Sequence, residues 1–125
     1  MTANLEQISW PLTPDWPVVD HAAVDGSDIQ LRLSIAANCP WLEGHFPDRP
    51  VLPGVVQVRW AIQAAMLIWP QLGGVTKLGN VKFQRPILPP TAITLRLTFN
   101  PDKRLLKARF VDGEETYSSA SITFA

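Results

Sequence analysis

The stretch GVVQVRWAIQAAMLIW, residues 54–69, decides the fold of this 125-residue chain. It is rich in Ala, Leu, Met and Gln, which favour a helix, and a proline stands at each end, Pro53 and Pro70. Proline suits the start of a helix and prevents its continuation at the far end. The pattern predicts one helix of about four turns. Because the segment is apolar almost all round, we expect the helix to be buried.

Apolar and polar residues alternate on both sides of this helix, which predicts half-buried strands. The strands are expected near residues 17–24, 29–35, 81–84, 93–100, 106–110 and 118–124. The sequences VDGS, NPDK and DGEE supply turns between neighbouring strands. One helix and about five to six antiparallel strands, in the order strand, strand, helix, strands, make an α+β architecture. This order is that of a hotdog fold, predicted here as a single domain over residues 1–125.

Composition excludes several classes of protein. Eleven basic side chains balance eleven acidic ones, which argues against a nucleic-acid-binding protein. The lone cysteine, Cys39, fits a reducing compartment and is expected to be buried. The N-terminus lacks the pattern of a signal peptide, and Pro53, Gln57, Arg59 and Gln63 interrupt the longest apolar stretch, so we predict no membrane span and a cytoplasmic location.

The loop before the helix carries the most specific motif. GHFPDRPVLPGVVQ, residues 44–57, closely resembles the signature His-Phe-Pro-x-x-Pro-x-x-Pro-Gly-Val of the 3-hydroxyacyl-[acyl carrier protein] dehydratases of fatty-acid synthesis. Farther on, VKFQRPILPP resembles a second stretch of that family, with Pro90 and Thr91 in place of its usual Gly-Asp. The short length and the LPGVVQ form look most like the dehydratase-like proteins of aryl-polyene-type clusters. The resemblance implies dehydration of a 3-hydroxyacyl thioester in fatty-acid or polyene lipid biosynthesis.

The chemistry of the motif residues suits that reaction. Eliminating water from a 3-hydroxyacyl thioester needs a base, help for the departing hydroxide, and hydrogen-bond donors for the developing enolate oxygen. The ordinary pKa of a histidine side chain lies near neutrality, so His45 suits the base, while the N–H of Gly54 at the helix N-terminus suits the donor. The resemblance assigns both residues the same catalytic roles. The candidate substrate-binding residues are Phe46, Pro53, Val55, Arg59 and Gln63.

Arg59 is where the sequence departs from the family. In the family a Glu or Asp follows the histidine by fourteen positions and works with it, and here that position is Arg59, whereas the family's glutamine four residues later is retained as Gln63. An arginine is a fixed cation and cannot act as a carboxylate-type acid or base. If buried, it requires a carboxylate, an anion or a water-filled cavity beside it. If it reaches the rim, its charge stays in water.

Four explanations of Arg59 remain open. Glu43 or Asp48, which flank His45, could supply the missing acid. A heterodimer with a carboxylate-bearing, related subunit could rebuild one complete site. The chain could instead be a non-catalytic subunit that binds an acyl thioester or a carrier protein. Finally, Arg59 could serve another reaction, as in a hotdog acyl-thioesterase. The leading interpretation is a hydro-lyase or a dehydratase-like subunit.

The same interpretation defines the expected partners. Two histidines and one cysteine make no convincing metal site, and no nucleotide-binding loop is present, so we predict no metal and no cofactor. The resemblance implies an acyl substrate carried on the phosphopantetheine of an acyl carrier protein or on coenzyme A. It also implies a homodimer, or a heterodimer with a related dehydratase-like subunit. The acidic carrier would dock on a basic patch, for which Lys82, Arg85 and Arg104 are candidates.

Overall fold

The computed structural model describes residues 5–42 and 50–125. Within these two ranges it contains one α-helix, α1 (Gly54–Ile68), and six strands. The strands are β1 (Val18–Asp25), β2 (Asp28–Ile35), β3 (Val75–Phe83), β4 (Thr91–Asn100), β5 (Leu105–Asp112) and β6 (Glu115–Phe124). They form one antiparallel sheet in the order β1-β2-β4-β5-β6-β3. The predicted α+β hotdog arrangement is confirmed.

One apolar face of the sheet packs against α1. Strands β2 and β4 alternate strictly between buried and partly exposed residues, as their sequence predicts. The fully buried Trp60 lies on the helix side of this core, and Cys39 is buried as expected. Burial raises the pKa of the Cys39 thiol. The other helix residues in the core are Val56, Ala61, Ala64, Ala65 and Ile68.

The helix is less enclosed than the sequence predicts. Val55, Met66 and Leu67 are exposed, because a single layer of sheet covers only one side of α1. No helix within the described residues is long and apolar enough to cross a membrane.

Strand β3 is the second difference from the sequence prediction. It begins at Val75, six residues before the predicted start, and nearly all of its residues are exposed. The reason is its place at the end of the sheet, where it pairs with β6 alone. The sequence VTKLGN of its first part lacks the alternation that marks half-buried strands. Phe83, its last residue, matters for the site described below.

A charged cluster joins β2 to β4 on the outer face of the sheet. The Asp28 carboxylate accepts hydrogen bonds from the hydroxyl of Thr98 and from Nη2 of Arg96, the latter at 2.5 Å. These two hydrogen bonds, led by that of Thr98, hold the pKa of Asp28 below its usual value of 3.8. The unfolded chain therefore takes up this proton more readily than the folded chain does. The resulting stabilisation is present above the usual carboxyl pKa and is lost as pH falls through the lower folded pKa.

We expect Asp28→Asn to lower the free energy of unfolding at pH 7 by about 1–2 kcal/mol, because it removes a charged acceptor. The difference from wild type should shrink as the pH falls below the usual carboxyl pKa of 3.8 and through the lower folded pKa, because Asp28 is then protonated in wild type. Urea unfolding at pH 7 and over this acid range measures it. Asp112→Asn is the matched control, since its ion pair with Arg32 is exposed and 3.8 Å long. Equal losses in both variants would contradict the role given to Asp28.

Candidate functional site

Four of the residues proposed from the sequence lie outside the described residues. They are His45, Phe46 and the two alternative acids, Glu43 and Asp48. The described part of the site begins after them, in the segment that leads into α1.

The start of α1 presents backbone donors that have no partner within residues 5–42 and 50–125. Pro53 precedes the helix with φ −59° and ψ 142°, and no side chain of these residues caps this end. The N–H groups of Val56 and Gln57 both bond to the carbonyl oxygen of Pro53. Among the described residues, nothing accepts from the N–H groups of Gly54 and Val55, which is the usual condition of the first helical residues. Together with the helix dipole, these two N–H groups favour an oxygen that carries negative charge.

Gly54 is in close contact with the ring of Phe83. A Cβ added to Gly54 would lie 2.5 Å from Cζ of that ring and 2.7 and 2.8 Å from its two Cε atoms. Any side chain at this position would therefore displace the ring. Only glycine allows β3 to come this close to the start of the helix. Glycine is therefore needed here for packing, in addition to giving a substrate access to the Gly54 N–H.

A cavity of about 460 Å³ opens at this contact. We call it the mouth, and it is lined by Val51, Leu52, Gly54, Val55 and Gln57 and by residues 83–86. Val55, proposed from the sequence as a substrate-binding residue, is 76% exposed at its edge. Arg85 adds a cation to the lining and forms a 3.0 Å ion pair with Glu115. Arg104, another of the predicted basic residues, does not line the mouth.

Gln57 is a site residue that sequence reasoning missed. Its side chain is buried, and its Oε1 accepts a hydrogen bond of 2.5 Å from the hydroxyl of Ser118. Its Nε2 donates at 3.2 Å to the carbonyl oxygen of Leu52, whose own N–H donates to Ile87 at 2.9 Å. These bonds connect the segment before Gly54 to β6 and to the segment after β3. The available signal was a polar side chain among the apolar residues of a buried helix.

We expect Gln57→Met to lower the free energy of unfolding by about 1–3 kcal/mol, because it leaves the Ser118 hydroxyl and the Leu52 carbonyl without their partner. Chemical denaturation measures the loss. Gln63→Met is the matched control on the same helix, because Gln63 makes no side-chain hydrogen bond to the described residues. A loss no greater than that of the control would show that the Gln57 bonds contribute little.

Arg59 and Gln63 lie on one face of α1, as their spacing predicts. Both line a small cavity of about 60 Å³ that also contacts Asp15 and Trp41. Arg59 is exposed, and its guanidinium carbon lies 5.5 Å from the centre of the Trp41 ring, a cation–π contact. No carboxylate of residues 5–42 or 50–125 forms an ion pair with it. Its charge therefore stays near water, as expected for an arginine that reaches the rim of the site.

The structure does not bring all the predicted residues together. Gly54 and Val55 line the mouth, whereas Arg59 and Gln63 line the separate small cavity beside Trp41. Among the described residues, the cavity beside Arg59 and the one beside Gly54 have no lining residue in common. Among the described residues, no group of three His, Cys, Asp or Glu side chains could hold a metal ion.

Comparison with known proteins identifies a matching family and similar relatives. Residues 21–121 match the model of the ApeI-like family, described as ApeI dehydratase. The chain is 32% identical over 102 residues to a 3-hydroxyacyl-[acyl-carrier-protein] dehydratase FabZ of Alkaliphilus metalliredigens, covering 74% of this chain and 69% of that protein. It is 31% identical over 105 residues to FabZ of Natranaerobius thermophilus, covering 74% and 72%.

A solved structure is similar over most of the chain. It is the dehydratase heterocomplex ApeI:P from Xenorhabdus doucetiae, with a TM-score of 0.79 and 29% sequence identity. The match covers 87% of this chain and 97% of that one.

Proposed function

The chain belongs to the ApeI-like dehydratase family, and on this basis we propose that it acts on 3-hydroxyacyl thioesters as a dehydratase or as the dehydratase-like subunit of a heterodimer. Its relatives support a hydroxyacyl dehydratase type of function. The observation that carries the proposal is the helix start in the His45 motif, where Gly54 lines the mouth and its N–H has no partner in the described part of the chain. The proposed setting is fatty-acid or polyene lipid biosynthesis in the cytoplasm.

The proposed reaction is an elimination. His45 takes the proton from the carbon next to the thioester carbonyl, and the N–H of Gly54 stabilises the negative charge that develops on the carbonyl oxygen. The bond from C3 to its hydroxyl oxygen then breaks, the oxygen leaves as water after gaining a proton, and a C2–C3 double bond remains. The acyl group is carried on the phosphopantetheine of an acyl carrier protein or on coenzyme A. The chain itself needs no metal or further cofactor in this scheme.

The proton for the departing oxygen requires an acid that position 59 does not supply. We place this acid on a second, related subunit that has Glu or Asp at the corresponding position. Two observations support this arrangement. Arg59 and Gly54 line different cavities of the chain, and a similar protein forms a dehydratase heterocomplex. Glu43 and Asp48 remain the alternatives within this chain.

The surface that would meet the second subunit is the free edge of β3. This strand pairs with β6 on one side only and exposes Val75, Leu78 and Val81. An exposed apolar edge strand is a liability unless another chain covers it. The uncovered helix residues Val55, Met66 and Leu67 add apolar surface.

The proposed carrier protein would approach the mouth beside Arg85, whose charge suits an acidic partner.

The test is the reaction itself. The chain alone, the related subunit alone and their mixture are incubated with a 3-hydroxyacyl carrier protein, and formation of the enoyl thioester is followed by its absorbance. The proposal predicts formation in the mixture well above either subunit alone. Absence of enoyl product in all three samples would overturn it.

A second candidate function is a non-catalytic subunit that binds an acyl thioester or a carrier protein. The observation that favours it is Arg59, which stacks on Trp41 and cannot replace the family's carboxylate. In that case a mixture would be active, and changing His45 in this chain would leave its rate unaltered. Release of free thiol instead of enoyl product would point to the remaining alternative, an acyl-thioesterase.

A further inference from the structure

Phe83 lies between two spaces of very different size. On one side is the mouth of about 460 Å³. On the other is a narrow crevice of about 10 Å³ between α1 and strands β5 and β6, which is at the limit for one water molecule. Phe83 and Gln57 line both spaces, so these two side chains form the boundary between them.

The two boundary residues differ in how firmly they are held. Gln57 is buried and fixed by hydrogen bonds to Ser118 and Leu52. The side chain of Phe83 is 53% exposed and belongs to the last residue of an edge strand. The far end of its ring, rather than its base, touches Gly54. A rotation about its side-chain bonds would therefore clear both Gly54 and the boundary without moving the backbone.

The crevice behind Phe83 is apolar and bordered by small side chains. Ala61 of α1 lines it, as do Ala108 and Ala120, which are directly opposite each other on β5 and β6. Phe110 contributes an aromatic wall. Two serines also line the crevice: Ser118, whose hydroxyl already donates to Gln57, and Ser119. A hydrocarbon chain is the chemical group that suits such a lining.

We propose that Phe83 is the gate that determines which acyl chains this site accepts. In the position seen here its ring packs against Gly54 and closes the passage from the mouth to the crevice. A thioester carbonyl oxygen can approach the Gly54 N–H from the mouth with the ring in this position, but the acyl chain can extend between α1 and the sheet only when the ring turns aside. The proposal rests on the proposed function, since it assumes that Gly54 receives an acyl thioester.

Binding of a chain-length series tests the gate without requiring turnover. Butanoyl-, octanoyl- and dodecanoyl-coenzyme A, which lack the 3-hydroxyl group and do not react, are titrated calorimetrically into the purified full chain and into Phe83→Ala. In the variant we expect the Kd to fall about fourfold for each methylene group that becomes buried. In wild type it should change less than about twofold in total between the octanoyl and dodecanoyl probes, because the ring restricts entry. Val24→Ala, an equally exposed valine on the other edge strand, β1, is the matched control and should behave as wild type does.

Two further results decide the outcome. Adding Ala120→Val to Phe83→Ala narrows the crevice and should weaken the dependence of the Kd on acyl chain length. Phe83→Leu alone should give a dependence between those of wild type and Phe83→Ala. The same dependence on chain length in wild type and Phe83→Ala would overturn the gate but leave the proposed function standing. Failure of wild type to bind any of the three probes would instead overturn the proposed function, and the gate with it.

Discussion

Replacing His45 by alanine is expected to lower the rate of enoyl thioester formation by about 10²–10⁴-fold, the range that a positioned general base contributes. The expectation follows from the proposed role of His45 as the base that removes the proton next to the carbonyl. The rate is measured on the complex of this chain with its related subunit. Thermal unfolding of the same preparation should match wild type, because the role proposed for His45 is chemical.

The chain offers a matched control for this substitution. His21, the second histidine, lies exposed on β1. His21→Ala should leave the rate within about twofold of wild type, since an exposed strand residue has no part in the elimination. If His45→Ala were as active as His21→Ala, the base would have to be sought elsewhere and the non-catalytic subunit would become the better account.

Arg59→Glu is expected to increase the dehydration rate of the chain assayed without a related subunit, by about a hundredfold or more, because in a homodimer the new carboxylate of one copy can serve His45 and Gly54 of the other. The substitution supplies the carboxylate that the family has at this position. Structurally it is mild, because Arg59 is exposed and its described contact is the stacking on Trp41, worth about 0.5–1 kcal/mol. The rate of enoyl formation is compared with that of wild type under the same conditions.

Arg59→Gln separates the new carboxylate from the loss of positive charge. It removes the charge without adding an acid, so we expect no gain from it. A gain in Arg59→Gln equal to that in Arg59→Glu would mean that the cation inhibits and that the acid lies elsewhere, as Glu43 or Asp48. An active wild type that both substitutions inactivate would give Arg59 a role of its own.

The elements that could be predicted from the sequence are those whose signal is local. Pro53 and Pro70 mark the two ends of α1, and alternation marks β2 and β4 because each has one buried face. Strand β3 was predicted too short because it is an edge strand, exposed on both faces, and therefore has no alternating pattern in its first half. The helix face with Met66 and Leu67 was predicted to be buried because periodicity cannot tell how many layers cover a helix.

The residues of the candidate site also divide into those with a local sequence signal and those without one. Gly54 could be found because its motif is contiguous, and Gln63 because a spacing of four places it on the face of Arg59. The contact of Phe83 with Gly54 joins residues far apart in the chain, as does the bond of Ser118 to Gln57. No local pattern contains such pairs. They depend on the register of β3 and β6, which places Phe83 opposite Ser118.

The most direct test of the central claim is the mass of the acyl group after incubation. A 3-hydroxyacyl carrier protein is treated with the wild-type chain and its related subunit, and the intact carrier is then weighed by mass spectrometry while free thiol is titrated in the same sample. The account predicts a carrier lighter by one water molecule, with no thiol released. A carrier of unchanged mass, or one that has lost its acyl group with release of thiol, would contradict the account.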